Sequence, residues 1–142
     1  MATDRQQTAR AGRPATKTRG DAAEAAALRY LLDAGLRLVR RNVRSPGRGG
    51  GEIDLIMAEP DGTLVFVEVR QRTRTDHGGA AASIGWHKQR RIVWAARHYL
   101  ARLPRVPPCR FDAVLIDGEL DGAAPPRIEW LRGAFDATAA DG

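Results

Sequence analysis

The chain has 142 residues, a formal net charge of +6, one cysteine and no apolar run near 18 residues. That length suits one domain with a real core; the missing apolar run argues against a membrane span, and the lone cysteine against a disulfide framework or a Cys-type zinc site within the chain. The N-terminus is basic but lacks an apolar h-region, which argues against a signal peptide and points to the cytoplasm.

Charge is unevenly placed. Residues 1–50 hold 11 basic and 4 acidic side chains, whereas residues 51–142 hold 12 and 13. The basic excess at the front suits a polyanionic partner. Arginine supplies 21 of the 23 basic residues, a bias that genome composition could also produce.

Residues 1–18 have no periodicity and read as a disordered basic arm. Residues 20–34 read as a helix with Asp21 as N-cap, Glu24 three residues on in capping-box spacing, an apolar stripe of Ala23, Ala27, Tyr30 and Leu31, and Gly35 as the stop. On this reading Glu24 is a cap residue first. Residues 36–44 read as a strand whose apolar residues do not hold one phase, so a bulge or an edge position is expected. Residues 45–51 form a glycine-rich loop. It lacks the Lys-Ser/Thr ending of a P-loop, and its glycines would let backbone approach a ligand closely.

The central stretch, residues 51–72, reads as an antiparallel hairpin. Ile53, Leu55 and Met57 alternate with polar or outward residues, as do Val65, Val67 and Val69. Glu59-Pro60-Asp61-Gly62 is a turn sequence. If Leu55 faces Val67, the two apolar sets share one face, Asp54 falls opposite Glu68, and Glu52 falls opposite Arg70. A strict four-residue loop does not give that register, so an odd-length loop or a bulge is expected. The other face is apolar near the turn (Ile56, Leu64, Phe66) and ionic away from it. Opposed Cβ atoms lie roughly 4.5–5.5 Å apart, and two carboxylates that close repel unless a cation or a shared proton separates them. Oxygen-only ligands suit Mg²⁺ or Mn²⁺. The plainer alternative is a charge network in which Arg70 neutralises Glu52 and Glu68.

Residues 72–82 are polar and Gly-containing, a candidate lid. Ser83 is expected to cap a helix running to about residue 103, with Ile92, Ala95, Ala96, Tyr99, Leu100 and Leu103 buried and Lys88, Arg91, Arg97 and Arg102 on a basic side. Residues 110–117 and 128–131 read as strands, 121–127 as the turn between them, and the chain is expected to fray from Gly133. His77, His87 and His98 make no metal set. The order is helix, strand, strand, strand, helix, strand, strand: an α/β protein with a mixed central sheet flanked by helices.

Glu24 in the first helix, Asp54 on one strand and Glu68-Val69-Arg70 on the next resemble the PD-(D/E)XK nuclease pattern. The segments GDAAEAAALRYL at Gly20, GEIDLI at Gly51, VFVEVRQR at Val65, Lys88 in the following helix and RFDAV at Arg110 are more closely similar to the YraN family of bacterial proteins, over residues 19–135. That resemblance implies a restriction-endonuclease-like domain over 19–135, with 136–142 a tail, and a nuclease or nucleic-acid-binding role. It implies Asp54 and Glu68 as ligands of Mg²⁺ or Mn²⁺ with the Val69 carbonyl a third, and Glu24 as support. Arg70 stands where the superfamily commonly has lysine. Arginine cannot be deprotonated in practice, so it would only clamp charge, and Lys88 is the candidate substitute. Arg41, Arg44, Arg48, Arg72, Lys88 and Arg91 are the candidate phosphate contacts. DNA is the favoured polymer, read by structure rather than by sequence. The alternative is a non-catalytic binding module on the same fold. Many enzymes of that fold dimerise, and no dimer face is evident in the residues.

Overall fold

The structure, a computed structural model, describes residues 15–47, 50–72, 84–118, 120 and 124–140. Its elements follow the expected order: helix α1 (Ala15–Asp33), strands β1 (Arg37–Arg44), β2 (Glu52–Ala58) and β3 (Leu64–Arg72), helix α2 (Trp86–Leu100), strands β4 (Cys109–Asp117) and β5 (Arg127–Phe135), then a 3₁₀ turn at Ala137–Ala140. The five strands stand in chain order, β1-β2-β3-β4-β5. Only β3 and β4 are parallel, because α2 carries the chain back between them.

Each helix covers one face of the sheet. Ala23, Ala27 and Leu31 of α1 bury against Leu55, Met57, Val65, Val67, Val114 and Ile116. Ile92, Val93, Ala95 and Ala96 of α2 bury against Ile56, Leu64, Phe66, Phe111, Ala113 and Leu115. Phe66 stacks on Phe111 with ring centroids 5.3 Å apart. Tyr30, expected in the α1 stripe, is instead half-exposed and meets Trp130 edge-on.

The hairpin register is the expected one. Leu55 pairs Val67, Met57 pairs Val65 and Ala58 pairs Leu64, so the loop is the odd-length 59–63. Within it Gly62, at φ 95°, donates its N–H to the Glu59 carbonyl at 2.9 Å. β1 is an edge strand with a bulge between Leu38 and Arg40, as its broken phase predicts. Gly35, at φ 104°, ends α1 by bonding back to Leu32 while Leu36 bonds back to Leu31, a Schellman closure.

Several boundaries differ from the sequence reading. α1 begins at Ala15, so residues 15–18 belong to the helix rather than the arm, and Asp21 lies two turns inside it instead of capping it. Residues 1–14 lie outside the described residues, as do Ser83, His77 and all of the 72–82 connection read as a lid except Arg72, which ends β3. The residue at the start of α2 is Gly85, which offers no side-chain cap, and the helix ends at Leu100. β5 runs on to Phe135 rather than fraying at Gly133. The reason is tertiary: Gly133 donates its N–H to the Asp112 carboxylate at 2.9 Å, and Phe135 stacks on Phe111 at 5.1 Å.

Candidate functional site

β2 and β3 pair only from Leu55/Val67 to the turn. Beyond that point Glu52 and Ile53 pair with β1, and residues 68–72 pair with β4. The two central strands therefore part like a fork, and the acidic residues sit in it. Asp54 lies between Ile53, which packs on the α2 side, and Leu55, which packs on the α1 side. The strict alternation expected of β2 thus slips at Asp54, and Ile53 does not face Val69. On β1 the residue across from Asp54 is Asn42, the one non-glycine with positive φ (51°) among the described residues. Asp54 Oδ2 accepts the Val69 N–H at 2.8 Å. A side-chain carboxylate thus takes the bond a strand carbonyl would have taken, the competition that disfavours Asp in strands.

Glu68 projects towards α2 and is only 8% exposed. Lys88, in the first turn of α2, places Nζ 3.5 Å from Glu68 Oε2. Burial pushes the Glu68 carboxyl up to about 8, the neighbouring Asp54 charge pushes the same way, and Lys88 opposes both. Glu24 approaches from α1. Its carboxyl is pushed up to about 7, by burial first and then by Asp54, Glu52 and Asp21, with Arg41 opposing. Five carboxylates from three elements (Asp21 and Glu24, Glu52 and Asp54, Glu68) thus share one field, which Lys88 at Glu68 and Arg41 at Glu24 only partly offset.

The donor set of Asp54 and Glu68 fits a hard divalent cation: oxygen-only, adjacent, and strained electrostatically without positive charge between them. Among the described residues no three His, Cys, Asp or Glu side chains converge as a closed cage. Such a cation would keep most of its positions for water or substrate oxygens, as Mg²⁺ ordinarily does. Val69, expected through its carbonyl, also contributes its N–H, to Asp54.

The expected basic residues divide. Arg70 is exposed, one residue pair along β3 from Glu68, and Arg41 is exposed on β1. Arg44 pairs with Glu52 at 3.4 Å. Arg91 donates to the Gly50 carbonyl at 3.1 Å through Nη2. Arg72 is withdrawn from the phosphate-binding set, because its guanidinium is committed to Asp117 at 2.6 Å and Glu129 at 3.7 Å. Arg48 lies outside the described residues. Gly51 needs to be glycine for a reason other than a ligand: a Cβ there would lie 2.0 Å from the Arg91 carbonyl oxygen.

Two features went unread in the sequence. Asp112, fully buried, accepts from Arg110 Nε and Nη2, Trp130 Nε1 and the Gly133 N–H at 2.8–3.0 Å. With four donors on its two oxygens it ties β4 to β5 and has no capacity left for a ligand. The second feature is a groove of about 560 Å³ between the 45–50 loop and the outward side of α2, lined there by His87, Arg90, Arg91, Trp94 and His98. Trp86 and Trp94, eight residues apart on one helix with arginine between them, were the available signal.

The family model described as "Uncharacterised protein family UPF0102" matches residues 23–116, from α1 through nearly all of β4. A UPF0102 protein of Polaromonas naphthalenivorans (strain CJ2) is 65% identical over 125 residues, covering 87% of this chain and 82% of the relative. One from Polaromonas sp. (strain JS666 / ATCC BAA-500) is 61% identical over 133 residues, covering 92% and 89%. One from Acidovorax sp. (strain JS42) is 64% identical over 122 residues, covering 86% and 87%.

Proposed function

The chain belongs to the uncharacterised protein family UPF0102, and for this member of it we propose metal-dependent hydrolysis of nucleic-acid phosphodiesters, DNA first, on a restriction-endonuclease-like fold. The observation that carries the reading is the fork. Asp54 and Glu68 are brought together where β2 and β3 part, and Lys88 arrives there from another element.

Asp54 and Glu68 would hold Mg²⁺ or Mn²⁺, with the Val69 carbonyl as a third ligand. When bound, such a cation supplies Lewis-acid polarisation and lowers the pKa of water. The Val69 N–H fixes one oxygen of Asp54 and so sets the orientation of the carboxylate. Glu24, pushed up to about 7, is part-protonated near neutral pH and can donate a hydrogen bond as well as accept one. Lys88 is one of two lysines in a chain with 21 arginines. A compact ammonium with three rotatable donors can reach a phosphate oxygen or a water beside Glu68. Arg70 clamps developing phosphate charge.

A specific observation also favours a second reading. The Lys88–Glu68 pair neutralises the most buried acid of the site without any metal, as a non-catalytic binding module on this fold would require. The separating experiment incubates the purified chain with labelled single-stranded, duplex and branched DNA in Mg²⁺, Mn²⁺ or EDTA, beside Asp54→Ala and Glu68→Ala. Hydrolysis predicts cutting that needs metal and falls by about 10²-fold or more in either variant, with affinity kept. Binding without cutting in every metal would instead select the binding module.

A further inference from the structure

We propose that the outward side of α2 is a stacking platform for unpaired bases, so that the segment held beside the fork is single-stranded nucleic acid. The inference rests on nucleic acid being the ligand of the neighbouring acidic site.

Trp86 and Trp94 are 44% and 51% exposed, although large aromatics bury the most area of any side chain and ordinarily do so. They account for two of the three tryptophans in the chain. Their eight-residue spacing places them on one side of the helix, about 12 Å apart along its axis. Arg90 lies between them and sits over the Trp86 ring at 5.4 Å, and His87 meets that ring edge-on at 4.9 Å. Trp86 is thereby held between Arg90 and His87 while 44% exposed, and Trp94 forms a wall of the groove.

The charge on this face has one sign. The α2 sequence WHKQRRIVWAARHYL holds Lys88, Arg90, Arg91 and Arg97 with two histidines and no carboxylate. A protein partner of ordinary composition would find no acceptor for its own cations there, whereas a polyphosphate backbone suits it throughout. Cations alone would serve duplex DNA. Exposed indole faces add what a duplex cannot use, because its bases are already stacked on one another, and what an unpaired strand can use at every base.

Groove and fork are physically continuous. Arg91, in the groove wall, holds the Gly50 carbonyl. Gly51 packs its backbone on Arg91, and Glu52 and Asp54 follow it by one and three residues. Lys88, three residues before Arg91, is already at Glu68. A strand laid on Trp94 would pass Arg90 and Arg91, which line the same groove, and Arg91 is one helical turn from Lys88 at the acidic site.

The test uses the full chain in EDTA, so that affinity is read without cleavage. Fluorescence anisotropy gives affinities for a labelled single-stranded oligodeoxynucleotide, the RNA of the same sequence, and the duplex. Native tryptophan emission is followed in parallel. The proposal expects single strands to quench that emission. It expects Trp94→Ala to weaken single-strand binding by about 5- to 150-fold, the range for one stacked base, and duplex binding by under about 2-fold. Trp94→Phe should keep most of the affinity. Higher affinity in the DNA or the RNA arm identifies the polymer, and either result supports the platform. Quenching in the unmodified chain needs no variant, so misfolding of Trp94→Ala cannot hide the answer. Equal losses on single strand and duplex, absence of quenching, or a dimer that Trp94→Ala dissolves would each overturn the platform. The hydrolysis reading fails separately. Trp-dependent single-strand binding with no cutting in Mg²⁺ or Mn²⁺ overturns hydrolysis and keeps the platform, whereas metal-dependent cutting indifferent to both tryptophans does the reverse.

Discussion

Glu68 is a carboxyl placed where ionisation is unfavourable, buried beside Asp54 and raised to about 8. A carboxyl whose folded pKa lies above its unfolded one weakens the fold when it ionises. The penalty is absent below the ordinary value of 4.5, grows as pH rises, and is complete above about 8. Glu24, raised to about 7, adds to it in the same direction. Glu68→Gln therefore removes a penalty along with a proposed metal ligand. We expect it to melt about 3–5 °C higher than the unmodified chain at pH 8 and near it at pH 4.5, while the hydrolysis reading expects it to lose metal-dependent cutting. A melting point that drops at pH 8 would mean that the Lys88 pair stabilises more than burial costs. Alternation and register singled out Asp54 and Glu68 as neighbours, but the ladder ends at Leu55–Val67, and what holds Asp54 beside β3 is the Val69 N–H rather than a cross-strand pair. Lys88 was expected there only through the family resemblance, because nineteen residues lie between it and Glu68 and only the docking of α2 sets their distance.

At the scale of elements, α2 and the start of β2 form one unit, in which the backbone of Gly51 lies against the Arg91 carbonyl. Gly51→Ala would push a Cβ to 2.0 Å from that oxygen. We expect a loss of about 1–3 kcal/mol in chemical denaturation, the usual scale of overpacking. Single-strand affinity should fall with it, because the shift is transmitted to the groove wall. Stability unchanged in Gly51→Ala would show that helix and strand are free to separate. The glycine-rich loop was visible in the sequence as a place of close backbone approach, and for Gly51 the neighbour it approaches is the Arg91 carbonyl. Local composition marks where backbone can come close and does not say to what. The ends of β5 and α1 were misplaced for the same cause. Gly133 looks like a stop until Asp112 supplies its N–H with an acceptor, and Asp21 looks like a cap until the helix is seen to start at Ala15.

For the whole molecule, the sheet lies between two helices and the acidic fork opens beside a basic helix face. Among the described residues no helix is long and apolar enough to cross a membrane. If the fork holds a divalent cation, protons and metal compete for Glu68 and Glu24. Mn²⁺ or Mg²⁺ should then raise the melting temperature more at pH 8 than at pH 6, by the equivalent of about 2.7 kcal/mol at a hundredfold excess over Kd. Asp54→Ala should abolish the shift. No shift in either metal at either pH would remove the cation from the site. The stabilisation is read from unfolding alone, so it remains informative even if the true substrate is absent from the assay.

By itself the sequence determined the order of the elements, the Leu55–Val67 register, the odd loop, the bulged edge strand and the Gly35 stop. Each of these depends on periodicity or backbone geometry within a few residues, which local physics specifies. Tertiary structure alone decided that β2 and β3 part at Asp54, that Arg72 is committed to Asp117 and Glu129, that Asp112 is a buried tie, and that Lys88 meets Glu68 while two tryptophans face outward. Those outcomes depend on which distant side chains share a volume once the helices dock. A one-dimensional pattern carries the residues for that but not the distances between them.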